Sequence, residues 1–140
     1  MSSNVLDQAR VNVRLQISGL WIAMLFLFAY GDIFGFFKPG QLADVANGEV
    51  SGIEITQAFL LAVSVYIAIA SAMVFLTLVL RASAARWANI VLPVLYAVSI
   101  VASLIGESWV YFWFLSVAEI VLLGAVVWLA WRWPRSDAAG

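Results

Sequence analysis

Two carboxylates inside apolar stretches, Asp32 and Glu119, are the residues of this sequence whose types and positions most favour chemistry. Asp32 follows the run WIAMLFLFAYG, and Glu119 lies near the middle of the last apolar run. An ionisable group within a membrane costs about 2.5 to 3.5 kcal/mol on insertion scales, and such groups often bind protons, ions or substrates. We therefore identify Glu119 and Asp32 as candidate ligand or proton sites. The alternatives are a neutral clamp between helices for Glu119, and snorkelling, a helix cap or a contact with Lys38 for Asp32.

Glu119 is the more costly of the two carboxylates, because no lysine, arginine or histidine lies in an apolar run to pair with it. We expect Glu119 to be protonated at neutral pH unless water reaches it, since burial disfavours a charge. A protonated carboxyl group needs a hydrogen-bond acceptor. The polar side chains at a suitable depth on the other apolar runs or on its own are Ser64, Tyr66, Ser71, Tyr96, Ser99, Ser103 and Ser116.

The composition indicates an integral membrane protein. Of 140 residues 65% are hydrophobic and 11% are charged, and the mean hydropathy is +1.03, whereas roughly a quarter of the residues in a soluble domain are charged. The absence of cysteine and histidine excludes disulfides, thiolate catalysis and the usual zinc, haem and iron–sulfur ligands, so we expect no metal and no cofactor. A net charge of -1 argues against a nucleic-acid partner.

Four apolar runs set the fold class. Each is near the ~20 residues that a helix needs to cross a bilayer, and none shows the alternation of a barrel strand. The sequence therefore predicts an all-α, antiparallel four-transmembrane-helix bundle in one domain, 1–140. The predicted helices span about 17–37, 55–80, 87–105 and 109–131. The outer loop, about 38–53, is either a solvated connector or a lid, and QLADVAN within it favours a short helix.

The arginines predict the orientation. Six of the seven basic residues fall on one side of an alternating four-span chain, so the positive-inside rule places both termini in the cytoplasm. The residues that we interpret as topology anchors on this side are Arg81, Arg86, Trp87, Asn89 and Arg132, with Asn89 also able to cap a helix or bridge to helix 2 or 4. This asymmetry and the lack of cysteine suit a bacterial inner membrane.

Small residues, which allow helices to approach closely in lipid, form a stripe on each predicted helix. We expect the stripes to face inward. The turns RASAAR and GES are short, so we expect helices 2, 3 and 4 to be successive antiparallel neighbours. The stripe residues are Gly31 and Gly35; Ser64, Ala68, Ser71 and Ala72; Ser99 and Ser103; and Ser116.

The stretches WIAMLFLFAYGDIFGFFKPG, MVFLTLVLRASAARWANIV and VAEIVLLGAVVWLAWRW resemble a bacterial family of small four-helix integral membrane proteins of unknown function, over about residues 15 to 133. The family pattern has an aspartate at the end of helix 1, an Arg-Trp/Ala-Asn cluster at the start of helix 3 and a glutamate in helix 4. The matching positions here are Asp32, Arg86, Trp87, Asn89 and Glu119.

The same pattern has an acidic residue in helix 2, near the place where this chain has Ala68, Ile69 and Ala70. The chain thus lacks one intramembrane carboxylate of the family, which puts a shared proton-relay mechanism in doubt. The resemblance implies the fold and supplies no activity. The layout, without the motifs, is also similar to that of DoxX-type four-helix proteins.

Three functions fit these observations. The sequence favours a non-enzymatic accessory or interaction subunit, or a homo-oligomer, with the lipid bilayer and a larger membrane complex as partners. The second is a small proton-linked carrier, or a binder of a lipid or other hydrophobic ligand, that uses the intramembrane carboxylates. The third and least favoured is an intramembrane enzyme, because no nucleophile and base stand at a recognisable spacing and no catalytic residue is predicted.

Overall fold

Four apolar stretches of the chain form long helices, because a helix satisfies its backbone N–H and C=O groups within itself, as apolar surroundings require. The structure, a computed structural model, describes residues 6–136. All four long helices have the length and hydropathy to cross a membrane, which confirms the predicted fold class. They are α1 (Val13–Gly35), α3 (Gln57–Val79), α4 (Ala82–Ser103) and α5 (Val110–Trp131), and between α1 and α3 lie α2 (Gln41–Ala46), β1 (Glu49–Val50) and β2 (Ile53–Glu54).

The helix bounds differ from the predicted ones mainly at the starts of α1 and α4. Helix α1 begins at Val13 because the Asn12 side chain accepts the Arg14 N–H at 2.8 Å and caps the first turn. Helix α4 begins at Ala82, within the segment RASAAR that we predicted to be a turn. Alanine and arginine are strong helix formers, so the link from α3 shrinks to Leu80 and Arg81.

The predicted outer loop contains more regular structure than a connector. Helix α2 falls within the predicted QLADVAN segment. The antiparallel pair β1 and β2 follows, and the sequence did not indicate it because each strand has only two residues. Ser51 and Gly52 join the strands with φ angles of 51° and 76°, as in the tight turns that match the twist of a hairpin.

The helix pairs are not equally close. Helix α1 packs along α3 and α5, and α4 packs along α5, whereas α3 and α4 approach each other closely at few positions. We expected the helices now labelled α3 and α4 to be close neighbours because their link is short. A short link fixes only one pair of helix ends, so the two helices can separate along their length.

Most of the buried core occupies one half of the bundle, and Tyr96 and Ile100 extend it along α4 into the other half. The first of these halves holds the start of α1, the end of α3, the start of α4 and the end of α5, and we call its outer face the arginine end because Arg14 and Arg86 contact helix termini there. The side chains that form the core are Ile17, Trp21, Met24, Ala70, Met73, Tyr96, Ile100, Leu123, Val126 and Ala130.

A buried polar network joins three helices within this core. The indole Nε1 of Trp21 donates to Asn89 Oδ1 at 2.7 Å, and Asn89 Nδ2 donates to Thr77 Oγ1 at 3.1 Å and to the Ala85 carbonyl at 2.8 Å. Trp21, Asn89 and Thr77 are all 0% exposed. Because an unpaired buried polar group is costly, this network fixes how α1, α3 and α4 rotate against one another.

Arginines of α1 and α4 cap the carboxyl ends of α3 and α5 at the arginine end. Arg14 Nη1 donates to the carbonyls of Thr77 and Leu80 at 2.9 and 2.8 Å, and Arg86 Nε donates to the Ala130 carbonyl at 3.1 Å. The last carbonyls of a helix lack partners within the helix and carry partial negative charge. Arg86, which we interpreted as a topology anchor, therefore also has a structural contact.

The small-residue stripe of α3 faces outward, which corrects our expectation that all four stripes face inward. Ser64, Ala68, Ser71 and Ala72 are exposed. Helix α3 instead buries Ala70, Met73 and Thr77, because Thr77 has to meet Asn89 in the polar network. By contrast, Gly31 and Gly35 of α1 lie near the Leu115 and Tyr111 side chains of α5.

Replacing Asn89 by alanine should lower the free energy of unfolding by about 2 kcal/mol, because the Trp21 N–H and the Thr77 hydroxyl lose a buried partner. The measurement is denaturant unfolding in detergent of Asn89→Ala, Trp21→Phe and the double variant. The double variant should lose less than the sum of the single losses, by about 1 kcal/mol. Asn47→Ala, at the exposed end of α2, is the control. Additive losses would show that the network does not act as a unit.

Candidate functional site

The half of the bundle opposite the arginine end contains a cavity of about 320 Å³. We call the outer face of this half the loop end, since the α1–α3 connection and the α4–α5 turn lie there. All four long helices supply the cavity wall. The lining residues are Phe28, Gly31 and Asp32 from α1; Val63, Tyr66 and Ile67 from α3; Ser99, Ile100 and Ser103 from α4; and Phe112, Leu115, Ser116 and Glu119 from α5.

Glu119 lies at the deep end of the cavity. Its distance from the start of α5 corresponds to about 14 Å of helix at 1.5 Å per residue, and it is 7% exposed. Among residues 6–136, no side chain or backbone group forms a hydrogen bond with its carboxyl group. A buried carboxyl group without a partner is costly in either protonation state, so this group is available to whatever enters the cavity.

Asp32 lies at the shallow end of the same cavity. It is about 5 Å of helix from the end of α1, and its side chain is exposed. Val63 and Ser103, which also line the cavity, are exposed as well, so these three residues mark the mouth near the loop end. The structure thus brings together the two carboxylates that the sequence singled out, one at the mouth and one at the base.

Four of the seven side chains that we proposed as partners of Glu119 line the cavity: Tyr66, Ser99, Ser103 and Ser116. The other three lie elsewhere. Ser64 and Ser71 are exposed on α3, and Tyr96 packs its ring on that of Tyr66 with centroids 4.5 Å apart. In the part of the chain that the structure describes, each of the seven makes its hydrogen bonds, where it has any, with a group other than Glu119.

Three of the four hydroxyl groups at the cavity wall, those of Tyr66, Ser99 and Ser103, already donate their protons within the protein. Ser99 Oγ donates to the Tyr96 carbonyl and Ser103 Oγ to the Ile100 carbonyl, each at 2.7 Å. Because a serine hydroxyl has one proton, the 2.7 Å bond between Tyr66 and Ser99 has the tyrosine as its donor. These three hydroxyl groups therefore offer the cavity lone pairs and no protons.

A charged pair links two segments at the loop end of the bundle. Lys38 Nζ lies 3.0 Å from Glu107 Oε2 and 5.7 Å from the ring centre of Phe112, a cavity residue. Glu107 Oε1 also accepts the N–H groups of Ser108 and Trp109 at 2.9 Å, at the start of α5. The pair therefore fastens the segment after α1 to the turn before α5.

Glu107 lies outside the four long helices, and its environment favours the charged form. Burial alone would raise the pKa of Glu107, but hydrogen bonds from the Trp109 N–H, Lys38 and the Ser108 N–H outweigh it and hold the pKa below its usual range. We did not select Glu107 or Lys38 from the sequence as site residues. A lysine after one apolar run and a glutamate before another could have indicated an ion pair between the ends of two helices.

The anchors predicted from the sequence lie at the arginine end and not at the cavity. Trp87 is 52% exposed. Arg81, just before α4, and Arg132, just after α5, are also exposed. Asn89 belongs to the buried network described above. Within residues 6–136 no group of three acidic, histidine or cysteine side chains could hold a metal ion.

Comparison with known families gives a match over nearly the whole chain. Residues 7–140 match the model of DUF6326, a family of unknown function. No match was found among curated proteins or among solved structures. The arrangement itself, a deep and a shallow carboxylate in one apolar cavity, is therefore the basis for any inference about activity.

Stability should depend on pH through Glu107. A carboxyl group whose pKa is lower in the folded state contributes its full stabilisation above the unfolded pKa, about 4.3 for glutamate, and loses it as the pH falls through the folded value. We expect Glu107→Gln to cost about 1 kcal/mol at neutral pH, because hydrogen bonds to a charged group are lost, and to have a smaller effect below pH ~4. The measurement is thermal unfolding of the wild type and Glu107→Gln in detergent, from neutral pH to below pH ~4.

Glu54→Gln, an exposed carboxylate of β2, is the matched control and should leave the pH profile of the wild type unchanged. An acid-dependent loss of stability of the same size in the wild type and in Glu107→Gln would contradict the assignment of this contribution to Glu107.

Proposed function

The chain belongs to this DUF6326 family of unknown function, and from the geometry of its cavity we propose that it is a small, non-enzymatic integral membrane protein that binds a small ligand between its four helices. The observation that carries the proposal is the cavity itself, with the nearly buried Glu119 carboxyl group at its base. A volume of about 320 Å³ is at the lower end of the range for small-molecule sites, about 300 to 1,000 Å³.

Insertion in a membrane is supported by the surface of the four helices. Large apolar side chains are exposed along each of them, including Phe26, Leu61, Val98 and Phe114, and a surface of this kind is stable in lipid rather than in water. We propose that the arginine end faces the cytoplasm of a bacterial cell, since cytoplasmic segments carry an excess of arginine and lysine. The cavity mouth then faces the opposite side.

Ligand binding without chemistry on the ligand is supported by the content of the cavity. Its ionisable side chains are Asp32, Tyr66 and Glu119, which could exchange protons but form no pair of a nucleophile with its base. Our hypothesis of an accessory subunit or homo-oligomer stays a prediction beside this one. The two differ in what accompanies the protein out of its membrane: a small molecule, or another protein chain.

Filling the cavity should remove the ligand. Ser116 lines the cavity and is 2% exposed, so the side chain of Ser116→Leu has to occupy the space beside Glu119. We expect native mass spectrometry of the wild-type protein, extracted from its own membrane in mild detergent, to show a bound small molecule. Ser116→Leu should lose that mass, with no loss of stability beyond about 1 kcal/mol, because the cavity accepts the larger side chain.

Ser71→Leu is the matched control, since it makes the same change on the exposed face of α3, and it should keep the ligand. A wild-type protein that carries only a second protein chain would favour the accessory-subunit hypothesis instead. Equal ligand retention by wild type and Ser116→Leu would show that the ligand binds outside the cavity and would contradict the proposal.

A further inference from the structure

We propose that the ligand of the cavity is an organic cation, a protonated amine with an apolar or aromatic body, whose ammonium group pairs with Glu119. This inference rests on the proposed function and specifies the chemical class of the ligand. It follows from the charge of the cavity, the direction of its hydrogen bonds, the nature of its walls and the contacts of the protein's own cations.

The cavity has negative groups and no positive group of its own. Asp32 and Glu119 line it, and among its described lining residues none is a lysine or an arginine. Glu119 is more than nine-tenths buried, faces the cavity and has no hydrogen-bond partner among residues 6–136. A carboxyl group in that position is stabilised by a cation that brings its own hydrogen-bond donors.

Four of the protein's cations are held in contacts with groups other than Glu119. Lys38 pairs with Glu107 at 3.0 Å. Arg14 and Arg86 donate to helix carbonyls at the arginine end, and Arg132 lies over the Trp128 ring, 5.0 Å from its centre. Each of these four side chains would have to give up its contact to approach Glu119, and Arg10, Arg81 and Arg135 lie in segments at the arginine end. The missing positive charge therefore has to come from outside.

Hydrogen-bond direction points to the same ligand class. The hydroxyl protons of Ser99 and Ser103 are donated to carbonyls of their own helix, and that of Tyr66 is donated to Ser99. The wall therefore presents lone pairs from these three oxygens in addition to the two carboxylates. A ligand rich in acceptors, such as a carboxylate or a phosphate, would face two carboxylates and these lone pairs, with the Ser116 hydroxyl as the one uncommitted donor among the described lining residues. An ammonium group, by contrast, has three protons and no acceptor.

The remaining wall suits the body of such a ligand. Phe28, Tyr66 and Phe112 place aromatic rings at the cavity, with the centres of the Phe28 and Tyr66 rings 5.9 Å apart. Aromatic faces attract cations and pack well against apolar groups. Val63 and Ile67 add aliphatic surface. An amine can enter past Asp32 at the mouth and move about 9 Å along the helix axis to Glu119.

The cation should compete with protons for the carboxylates. The titratable groups that face Glu119 across the cavity are Asp32 of α1 and Tyr66 of α3, while α4 contributes Ser99, Ile100 and Ser103, which do not titrate. Acidification protonates the carboxyl groups and removes the charge that holds an ammonium group. We therefore expect affinity for an amine to fall as the pH is lowered and affinity for a neutral probe to stay constant.

The test compares three probes of similar size by calorimetric titration into the full-length protein in phosphatidylcholine nanodiscs. The probes are 2-phenylethylammonium, its neutral counterpart propylbenzene, and the anion 3-phenylpropanoate. The wild type should bind the ammonium probe at least about tenfold more tightly than propylbenzene, as expected for one buried charged pair, and should bind the anion least. Glu119→Gln should abolish this preference without abolishing the binding of propylbenzene.

Asp32→Asn should weaken ammonium binding less than Glu119→Gln does, because Asp32 is at the exposed mouth. Glu54→Gln on the hairpin should leave ammonium binding unchanged.

Equal affinity for the ammonium probe and propylbenzene, or a preference for the anion, would overturn the ligand class and leave the proposed binding cavity intact. Binding of none of the three probes would overturn the proposed function as well. Should Glu119→Gln fail to fold, the wild type decides the question: affinity for the ammonium probe should fall on acidification while that for propylbenzene stays constant, and equal pH dependence of the two would overturn the ligand class.

Discussion

Polar groups inside apolar surroundings need partners within the protein, and this constraint decides how the two halves of the bundle differ. Near the arginine end the constraint is met: Trp21, Asn89 and Thr77 satisfy one another, and arginines from neighbouring helices cap the ends of α3 and α5. Near the loop end it is not met, since Glu119 faces a cavity. The packed half fixes the rotation of the helices, and that rotation aims Glu119 and Asp32 into one space.

The separation of α3 and α4 is what makes the space possible. These helices share a link of two residues at the arginine end and meet through side chains rather than through close backbones: Thr77 with Asn89, and Tyr66 with Ser99. Large aromatic side chains keep helices apart where small ones would let them touch. The bundle is thus firm where its polar groups are paired and hollow where tyrosine and phenylalanine stand between helices.

Much of this arrangement could be predicted from the sequence, because hydropathy and length are local properties. Four apolar runs gave four helices, and depth along each run marked Asp32 and Glu119 as unusual. The rotation of each helix could not be predicted in the same way. Ser64 and Ser71 share a small-residue stripe, yet they are exposed, because the rotation of α3 depends on the contact of Thr77 with a residue far away in the chain. The start of α4 was also missed. The segment RASAAR between two apolar runs resembles a turn, and the contact of Arg86 with the end of α5 is visible only in the structure.

The Glu119 carboxyl group faces a cavity, and we propose that another molecule binds there. The most direct measurement is a high-resolution structure of the protein taken from its own membrane into nanodiscs without exchange of lipid. Density for a non-protein molecule within hydrogen-bond distance of Glu119, about 3 Å, is the result that this account predicts. A collapsed cavity, in which Glu119 forms a hydrogen bond with Tyr66 or with a serine of a neighbouring helix, would contradict it and make Glu119 a clamp between helices.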